Sequence, residues 1–274
     1  MEAQKRLIDL SIIMPALNEE ENIAGAIQDT LKAFSQYGIA GEIIVVNDGS
    51  TDDTGKIVAE LVKRETRQWI RIVQHKTPQG LGMAFRDGML EARGDVVAFM
   101  PGDGENDPGE IMRYFHLMDQ VDMVVPFVYN KEVRPKSRNL ISTIFRMIIN
   151  LTFGVNFNYT NGTVLYRRII LSSAPNQSRG FFFQTENIVR AVWSGYLFAE
   201  VPYRLEVRSA GESKAISWKS LAEVIRNYFS LVQEIYFFPE KKAGRKPAPG
   251  TISDLRRRET EEIGFGVAGK YSRE

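Results

Sequence analysis

Short apolar runs alternate with helical patterns along the first part of the chain. Runs such as LSIIM and VVAFM are continuously apolar, as expected of strands that are covered on both faces. The predicted strands cover residues 10–14, 42–46, 70–74 and 96–100. The predicted helices cover residues 19–37, a segment starting at 50–53, and residues 83–91. This alternation predicts an α/β fold with a mostly parallel, doubly wound sheet that has helices on both faces.

The pattern changes after a further predicted helix over residues 108–118 and a strand over residues 121–125. Residues 131–155 are first basic and then largely apolar, and residues 219–238 carry apolar side chains at helical spacing. Apolar residues at this spacing usually face a core, but a basic and aromatic rim around an apolar face suits a helix on a membrane surface. The residues alone leave both interpretations open, as membrane-interface helices or as packing helices.

The end of the chain differs in composition from the rest. We expect one domain over residues 1–238, because the strand and helix patterns continue to that point. Residues 239–250 are rich in Lys, Pro and Gly, which predicts a linker. Residues 251–274 are predicted to be a polar tail with a short helix over residues 252–263.

Composition limits the partners and the compartment. The chain has 35 Lys and Arg against 34 Asp and Glu, so its net charge of +1 gives no general attraction for nucleic acid. The absence of cysteine excludes disulfides, thiolate metal sites and a Cys nucleophile, and agrees with a reducing compartment. We find neither a secretory signal nor a spanning segment, and expect a cytoplasmic protein that is peripheral on the cytoplasmic face of a membrane.

Polar loops follow three of the predicted strands. They cover residues 15–19, 47–52 and 101–107. Because ligands of parallel sheets bind at the carboxyl ends of the strands, we expect these loops to form one site. In the third loop Asp103, Glu105 and Asp107 alternate with other residues, and carboxylates this close suit a Mg²⁺ or Mn²⁺ ion that carries phosphate. A solvated acidic turn before a helix is the alternative.

The polar groups of these loops suit a nucleoside diphosphate. Asp48 and Asp52 can accept hydrogen bonds from a base N–H or a ribose hydroxyl, while Asp103 with a cation can neutralise a diphosphate. The chain has no Gly-x-x-x-x-Gly-Lys phosphate cradle, and the Gly-Leu-Gly of residues 80–82 lacks the rest of a dinucleotide fingerprint. The sequence therefore disfavours an ATPase and a dehydrogenase.

Seven segments of the chain occur in a recognisable order. They are SIIMPALNEEENI, VVNDGSTDDT, GLGMAF, GDGENDP, NYTNGTVLYRR, FQTEN and EVPYRLEVRSAGESK. In this order and spacing the chain resembles family 2 glycosyltransferases of the GT-A fold, and most of all the dolichyl- or polyprenyl-phosphate sugar transferases of the dolichyl-phosphate mannosyltransferase type. The resemblance covers roughly residues 11–236. It implies transfer of a sugar from a GDP- or UDP-linked donor to a polyprenyl phosphate at the membrane surface.

The resemblance also implies roles for single residues. Asp103 takes the place of the last acid of the family's Asp-x-Asp motif, and with Glu105 it should hold the metal ion. The implied donor-binding residues are Pro15, Asn18, Glu19, Asp48, Asp52, Gly82, Asp103 and Lys214. Arg208 and Lys214 match a loop that closes over the phosphates, and Arg208 is counted with Asp103 as catalytic. The implied residues for the acceptor phosphate are Arg134, Arg138 and Ser142.

The chain departs from the family pattern at several positions. Pro101 stands where the first acid of Asp-x-Asp belongs, and Asn47 replaces the first acid of Asp-Asp-Gly-Ser. Asn158 replaces a common Asp, and Thr163 replaces a residue that is usually aromatic. Val164 stands where the family often has Arg. These differences concern the sugar, the acceptor and the use of metal rather than the fold.

The implied mechanism is an inverting displacement at the anomeric carbon. A phosphate acceptor arrives ionised and needs no general base, whereas a hydroxyl acceptor needs one, for which Glu186 is the candidate. A structural role for Glu186, as a helix cap or in holding the Arg208 loop by an ion pair, is the alternative. Two other functions remain open at this point. One is a family 2 transferase that acts on a hydroxyl of a glycan or small molecule, and the other is a non-catalytic nucleotide-sugar binding module.

Overall fold

Strands and helices alternate as predicted in the computed structural model, which describes residues 8–65, 69–133, 135–173, 177–204, 218–237 and 246–271. The strands are β1 (Leu10–Ala16), β2 (Gly41–Asn47), β3 (Ile70–Gln74), β4 (Val96–Phe99), β5 (Met123–Val128), β6 (Leu165–Arg167) and β7 (Phe198–Tyr203). The α-helices are α1 (Ile23–Tyr37), α2 (Thr54–Arg64), α3 (Leu81–Glu91), α4 (Gly109–Met112), α5 (Lys136–Phe153), α6 (Arg168–Ser173), α7 (Phe183–Trp193), α8 (Trp218–Phe237) and α9 (Ile252–Tyr271). Short 3₁₀ helices cover Phe115–Asp119 and Lys131–Val133.

The described strands form one mostly parallel sheet, which confirms the predicted fold class. Their order is β3-β2-β1-β4-β6-β5-β7. Strand β1 pairs in parallel with β2 and β4, with Leu10 opposite both Gly41 and Val96. Strand β6 lies between β4 and β5 and runs antiparallel to both. This reversal was not predicted, because β6 is only three residues long.

Apolar side chains cover both faces of the sheet. In β1, Ile12 and Met14 belong to one core cluster and Ile13 to the other, as the alternation of side chains along a strand requires. The first cluster includes Ile27 of α1, and the second includes Phe85 of α3. The continuous apolar runs in the sequence reflect this burial on both sides.

The beginning of α1 differs from the prediction. The helix starts at Ile23 rather than at residue 19. The backbone of Asn18 is in the left-handed region with φ of 56°, and the Glu19 amide donates to Thr54 Oγ1 at 2.8 Å instead of entering a helix. Residues 18–22 therefore form a turn that ties the first loop to the start of α2.

Helices α5 and α8 cover the two apolar segments noted in the sequence, and they contact each other. Thr152 Oγ1 lies 2.7 Å from Tyr228 Oη, and the ring of Phe153 packs edge-on against that of Tyr228 with centroids 6.0 Å apart. Phe153 and Ile235 are buried in the core. Each helix therefore has a packed side.

The end of the chain is joined to the sheet. Residues 239–250 and 251–274 were predicted to be a linker and a polar tail, and α9 is longer than the short helix expected there. The backbone amides of Ile252 and Ser253 both donate to the buried carboxylate of Asp122, each at 2.9 Å. Arg167 Nε also contacts Asp122, at 3.0 Å. The start of α9 is thus held at the amino ends of the strands, opposite the polar loops.

None of the helices within the described ranges is long and apolar enough to cross a bilayer.

Candidate active site

The first and second polar loops are bound to each other at the carboxyl ends of β1 and β2. The Asn18 amide donates to Ser50 Oγ at 3.0 Å, and the Thr51 amide donates to Asn18 Oδ1 at 2.8 Å. The positive φ of Asn18 is one that Asn tolerates better than most residues. Asn18, predicted to line the donor site, therefore also fixes how the two loops meet.

Asp52 has a structural role in this contact. Its carboxylate accepts hydrogen bonds from the Thr54 hydroxyl at 2.6 Å, the Thr54 amide at 3.0 Å and the Glu20 amide at 3.2 Å. Partial burial raises the pKa of Asp52, but these hydrogen bonds outweigh it and hold the pKa below its ordinary value. Asp52 thus stays ionised at the start of α2, and its predicted contact with a nucleotide remains a prediction.

Asp48 is almost fully buried and already has several partners. Its carboxylate accepts hydrogen bonds from the backbone amides of Gln79 at 2.7 Å and Gly80 at 2.9 Å. His75 Nδ1 lies 2.7 Å from the same carboxylate. Asp48 therefore orders the loop that leads into α3, and its predicted contact with the nucleoside remains a prediction.

His75 was not singled out in the sequence. It follows β3, its side chain is 11% exposed, and its two ring nitrogens lie 2.7 Å from Asp48 and 3.1 Å from Asp87. A lone histidine after a strand carries no spacing that would reveal such contacts. The structure thus adds a residue that positions Asp48.

Gly82 packs against a neighbouring loop. A Cβ atom at this position would lie 2.1 Å from the Ser178 carbonyl oxygen, and the Gly82 amide donates to the Arg179 carbonyl at 2.6 Å. This close approach requires glycine. The predicted contact of Gly82 with the donor remains a prediction, and its observed contact joins α3 to the loop 177–180.

Glu186 holds the same loop from the other side. Its carboxylate is 3% exposed and accepts hydrogen bonds from the amides of Gln177 at 2.8 Å and Ser178 at 2.9 Å. It also pairs with Arg190 at 2.9 Å. The described partners of Glu186 are thus the loop 177–180 and Arg190, and the Arg208 loop lies outside the described residues. A carboxylate with three partners is poorly placed to accept a proton from a substrate hydroxyl, and the role of Glu186 as a base remains a prediction.

The third loop carries the acidic residues. Asp103 is half-buried, and one of its oxygens accepts a hydrogen bond from the Glu105 amide at 3.1 Å. Asp107 accepts a hydrogen bond from the Gly109 amide at 2.8 Å, at the start of α4. The loop is held to β1, because the Gly102 amide donates to the carbonyl of Pro15 at 3.0 Å. Asp107 is therefore occupied with the helix, whereas the described contact of Asp103 lies within the loop itself.

The acidic loop fits a divalent ion that is bound mainly by its substrate. No group of three or more Asp, Glu, His or Cys within the described part of the chain could hold a metal by itself. Mg²⁺ and Mn²⁺ commonly take only one or two protein carboxylates and complete their shell with phosphate and water. Asp103 has an oxygen with no described partner, and Glu105 lies two residues away. The pair can therefore supply the protein's share of such a shell.

A small pocket of about 30 Å³ lies beside the acidic loop. It is lined by Asn106 from that loop, and by Asn161, Thr163 and Tyr203. Tyr203 Oη donates to Asn106 Oδ1 at 3.0 Å. Amides, hydroxyls and an aromatic ring are groups that hydrogen-bond and stack on a sugar. Thr163, where the family is usually aromatic, leaves room in this pocket.

A second small pocket, of about 20 Å³, adjoins the first and shares Val128 and Tyr159 with it. Its wall includes Ser142, Thr143 and Arg146 on the inner side of α5. Ser142 was predicted to bind the acceptor phosphate, and it lies in this pocket. Arg146 was noticed in the sequence only as an interruption of an apolar segment.

Several predicted site residues are not brought into these pockets by the structure. Arg138 is exposed near the start of α5. Arg134, Arg208 and Lys214 lie outside the described residues. Their predicted roles, in acceptor binding for Arg134 and in closure over the phosphates for Arg208 and Lys214, remain predictions.

Two departures from the family pattern have local explanations. The side chain of Asn158 donates to Glu200 at 2.8 Å, where an aspartate would face another carboxylate. Asn47 donates to Gln74 Oε1 at 3.0 Å and accepts from the Ser50 amide at 3.2 Å. An aspartate at position 47 could accept from Ser50 but could not donate to Gln74. Both asparagines thus fit their neighbours in this chain.

The sequence matches a known family over most of its folded part. A model of the family described as Glycosyl transferase family 2 matches residues 11–180, which is more than half of the chain. This range includes the three polar loops and both pockets except Tyr203.

Relatives of known name are sugar transferases. An undecaprenyl-phosphate 4-deoxy-4-formamido-L-arabinose transferase from Pectobacterium carotovorum is 31% identical over 166 residues, which are 60% of this chain and 50% of the relative. A polyprenol monophosphomannose synthase from Mycolicibacterium smegmatis is 29% identical over 215 residues, or 74% of this chain and 79% of the relative. The chain thus spans about half the length of the first relative.

Solved structures show the same fold. Glucosyl-3-phosphoglycerate synthase from Mycobacterium tuberculosis, in complex with Mg²⁺ and uridine diphosphate, superposes with a TM-score of 0.60 at 20% identity and covers 82% of this chain and 79% of its own. The same enzyme with Mn²⁺, UDP-glucose and phosphoglyceric acid gives a TM-score of 0.58 at 18% identity, over 83% and 79% of the two chains. At this identity the likeness concerns the fold, which is GT-A.

Proposed function

The chain belongs to glycosyltransferase family 2, and we propose that it transfers a sugar from a nucleoside-diphosphate sugar to a polyprenyl phosphate at a membrane surface. The observation that carries this proposal is the orientation of α5. Its polar residues Ser142 and Arg146 line a pocket that adjoins the first pocket, while Ile149 and Phe153 are buried in the core and six other apolar residues are exposed. The two relatives described above are named as enzymes of polyprenyl or undecaprenyl phosphates.

The donor binds, in this proposal, across the three polar loops. Asn18 and Glu19 lie in the first loop and Asp48 in the second, at adjacent strand ends. The resemblance to the family and the GT-A fold support a GDP- or UDP-linked donor. His75 and two backbone amides hold Asp48 in place. In this proposal the nucleoside therefore contacts a carboxylate with a fixed orientation.

Asp103 and Glu105 would hold a Mg²⁺ or Mn²⁺ ion, which when bound neutralises charge on the diphosphate. Asp103 is suited to this because one of its oxygens turns back to the loop while the other has no partner among the described groups. Pro101, in place of the first acid of Asp-x-Asp, leaves Asp103 as the principal ligand. Arg208 and Lys214 would complete the neutralisation from the loop that follows β7.

The sugar would occupy the pocket beside Asn106, between the metal-binding loop and α5. There its anomeric carbon can be attacked from the side of the second pocket. Displacement of the nucleoside diphosphate by the acceptor phosphate in one step inverts the anomeric carbon. No general base is required, because a phosphate monoester is already ionised, and this agrees with the occupied carboxylate of Glu186.

The outer face of α5 supports a membrane surface as the place of reaction. Its apolar side chains recur at helical spacing and are 46–82% exposed. They are Leu140, Ile141, Ile144, Met147, Ile148 and Leu151. A helix that packs on a protein core normally buries its apolar side chains, but α5 buries Ile149 and Phe153 and leaves these six exposed. Helix α8 adds Leu221, Ile225 and Phe229, which are also exposed.

These exposed residues would rest in the interface of a bilayer, on its cytoplasmic face, with Lys136 and Arg138 near the headgroups. The phosphate of the lipid would then enter the second pocket from the membrane side. Arg138, Ser142 and Arg134 are the residues that we propose for this entry.

A transfer assay tests the proposed function. The protein is incubated with labelled UDP- and GDP-sugars, Mn²⁺, and polyprenyl phosphate or soluble glycans, and the phases are then separated. We expect label in the lipid phase for one donor, and loss of this label when EDTA removes the metal. Label that enters only a soluble glycan would overturn the proposal, and so would binding of the donor without transfer to any acceptor.

A further inference from the structure

Among the described residues, Arg146 on the inner side of α5 has no counterion. It is half-buried, and its only described hydrogen bond is a long one of 3.5 Å to the Phe157 carbonyl. No carboxylate of the described residues lies within ion-pair distance of its guanidinium. A half-buried arginine normally has a paired acid or a full set of acceptors.

The contact of Arg146 with Phe157 does not explain its position. Asn150 already binds both backbone groups of Phe157, because its side chain donates to the carbonyl at 3.0 Å and accepts from the amide at 3.1 Å. The segment after α5 is therefore held without Arg146. Most of the five N–H donors of the guanidinium have no partner among the described residues and can bind a ligand.

The pocket in front of Arg146 favours an anion. Its wall carries Ser142 and Thr143 together with amide side chains, and no acid is among its lining residues. Thr143 donates to the Asn139 carbonyl at 2.8 Å, and Asn158 is bound to Glu200. Ser142 has no described partner and lies one helical turn before Arg146, so both face the pocket together.

We infer that Arg146 binds the phosphate of the acceptor in this pocket and so selects a phosphate monoester over an alcohol. The planar guanidinium can donate to two phosphate oxygens at once, and the Ser142 hydroxyl can donate to a third. The inference rests on the proposed function in that it names the group that discriminates the acceptor. The shared chemistry is a phosphate monoester, whether it is carried by a lipid or by a soluble molecule.

Binding measured without donor tests this inference independently of catalysis. Equilibrium dialysis compares labelled farnesyl phosphate, farnesol and 3-phosphoglycerate on the full chain and on Arg146→Gln. We expect farnesyl phosphate to bind about tenfold to a hundredfold more weakly to Arg146→Gln, with farnesol binding and UDP or GDP binding unchanged. Arg64→Gln, on the exposed side of α2, removes the same charge away from the pocket and should change nothing.

The inference would be overturned if a folded Arg146→Gln bound farnesyl phosphate with the affinity of the wild type. It would also be overturned if the affinity for farnesol fell by the same factor as the affinity for farnesyl phosphate. If Arg146→Gln does not fold, Arg146→Lys decides instead. It keeps the charge but loses the two-pronged donor geometry, and should weaken farnesyl phosphate binding by a smaller factor while farnesol is unaffected. Unchanged phosphate binding in a folded Arg146→Lys would then contradict the inference.

The three ligands also distinguish a failure of this inference from a failure of the proposed function. Binding of 3-phosphoglycerate, but not of farnesyl phosphate, that depends on Arg146 would support the phosphate site and reject the lipid acceptor. Dependence on Arg146 for farnesyl phosphate, together with no transfer of sugar to lipid, would support the site and reject the proposed reaction.

Discussion

The carboxylates of the candidate site differ in how many partners they already have. Asp48, Asp52 and Glu186 each accept at least two hydrogen bonds from backbone amides of the chain. Asp103 accepts one from its own loop. Acids of the first kind order loops, and an acid of the second kind remains able to bind a ligand. Sequence patterns identify both kinds but do not distinguish them.

Asp103→Asn should reduce kcat by at least about a hundredfold, because a neutral amide binds a divalent ion poorly and the diphosphate loses its charge neutralisation. Steady-state rates at several Mn²⁺ concentrations measure this effect. Asp119→Asn, an exposed residue in the 3₁₀ helix, is the matched control and should retain the wild-type rate. A fully active Asp103→Asn would mean that another group binds the ion.

Glu186→Gln should destabilise the protein rather than remove a catalytic base. The substitution weakens charged contacts with two amides and Arg190 in a buried position, and we expect a loss of about 3 kcal/mol in the free energy of unfolding. Urea unfolding and the pH dependence of kcat are measured together. A stable variant with an altered pH profile would restore Glu186 as a base.

Single residues were predictable where spacing carries information. The acidic loop was found from the spacing of its acids, and Ser142, which the family resemblance implied, lines a pocket. His75 and Arg146 were missed, because their importance comes from groups that are distant in sequence, such as Asp87 for His75. No local pattern reports such contacts.

At the scale of elements, helix α5 places Ile149 and Phe153 in the core and Ser142 and Arg146 at a pocket, and leaves a further apolar side exposed. Ile144→Asp with Leu151→Asp should abolish most binding to vesicles, since two charges would enter the apolar face. Co-sedimentation with vesicles of anionic lipid measures this. Leu90→Asp is the control, because Leu90 is 70% exposed but belongs to α3. This variant should bind vesicles normally. Equal binding of all variants would argue for another partner on this face.

Strand β2 provides a pH-dependent contribution to stability through Glu42. Burial raises the pKa of this carboxyl, but hydrogen bonds from Ser11 and Arg93 and the charge of Arg71 outweigh it, so the pKa lies below its ordinary value. Since the folded pKa is depressed, the stabilisation is present above the unfolded pKa, near 4.5, and is lost as the pH falls through the lower folded value.

Urea unfolding of the wild type and Glu42→Gln checks this sign. The wild type should be the more stable at pH 7, and the difference should shrink as the pH is lowered from about 5 toward 3. A difference that stays constant over this range would show that Glu42 is not linked to proton binding.

Strands and helices were predicted from the sequence where their apolar residues follow a regular pattern. Strands β1, β2 and β4 were found because they are buried on both faces, and β3 was found although most of its residues are only partly buried. Helix α7 was not found, since nearly all of its residues from Phe183 to Ala191 are buried and no polar side marks a helical period. Strands β6 and β7 escaped notice because they are short or only partly buried.

For the molecule as a whole, the two ends of the sheet have separate tasks. Polar loops at the carboxyl ends form the candidate site, and Asp122 at the opposite end holds the start of α9. The sequence predicted the first end, because loops after apolar runs are easy to locate. It did not predict the second, because the composition of a polar tail does not show that its backbone amides bind a buried acid that is distant in the sequence.

Deletion of residues 246–274 should lower the free energy of unfolding by about 3 kcal/mol, because buried Asp122 loses the amides of Ile252 and Ser253. Asp122→Ala in the full chain should also destabilise. The two changes combined should cost less than their sum, as thermal or urea unfolding of the four proteins will show. Fully additive losses would mean that the end of the chain is not held through Asp122.

The central claim is that this family 2 glycosyltransferase uses a phosphate on a lipid as its acceptor. The most direct measurement compares sugar transfer to polyprenyl phosphate and to polyprenol of the same chain length, in the same vesicles and with the same labelled donor. We predict labelled product with the phosphate and none with the alcohol. Equal labelling of the two lipids, or label that appears only on a soluble hydroxyl acceptor, would contradict the account.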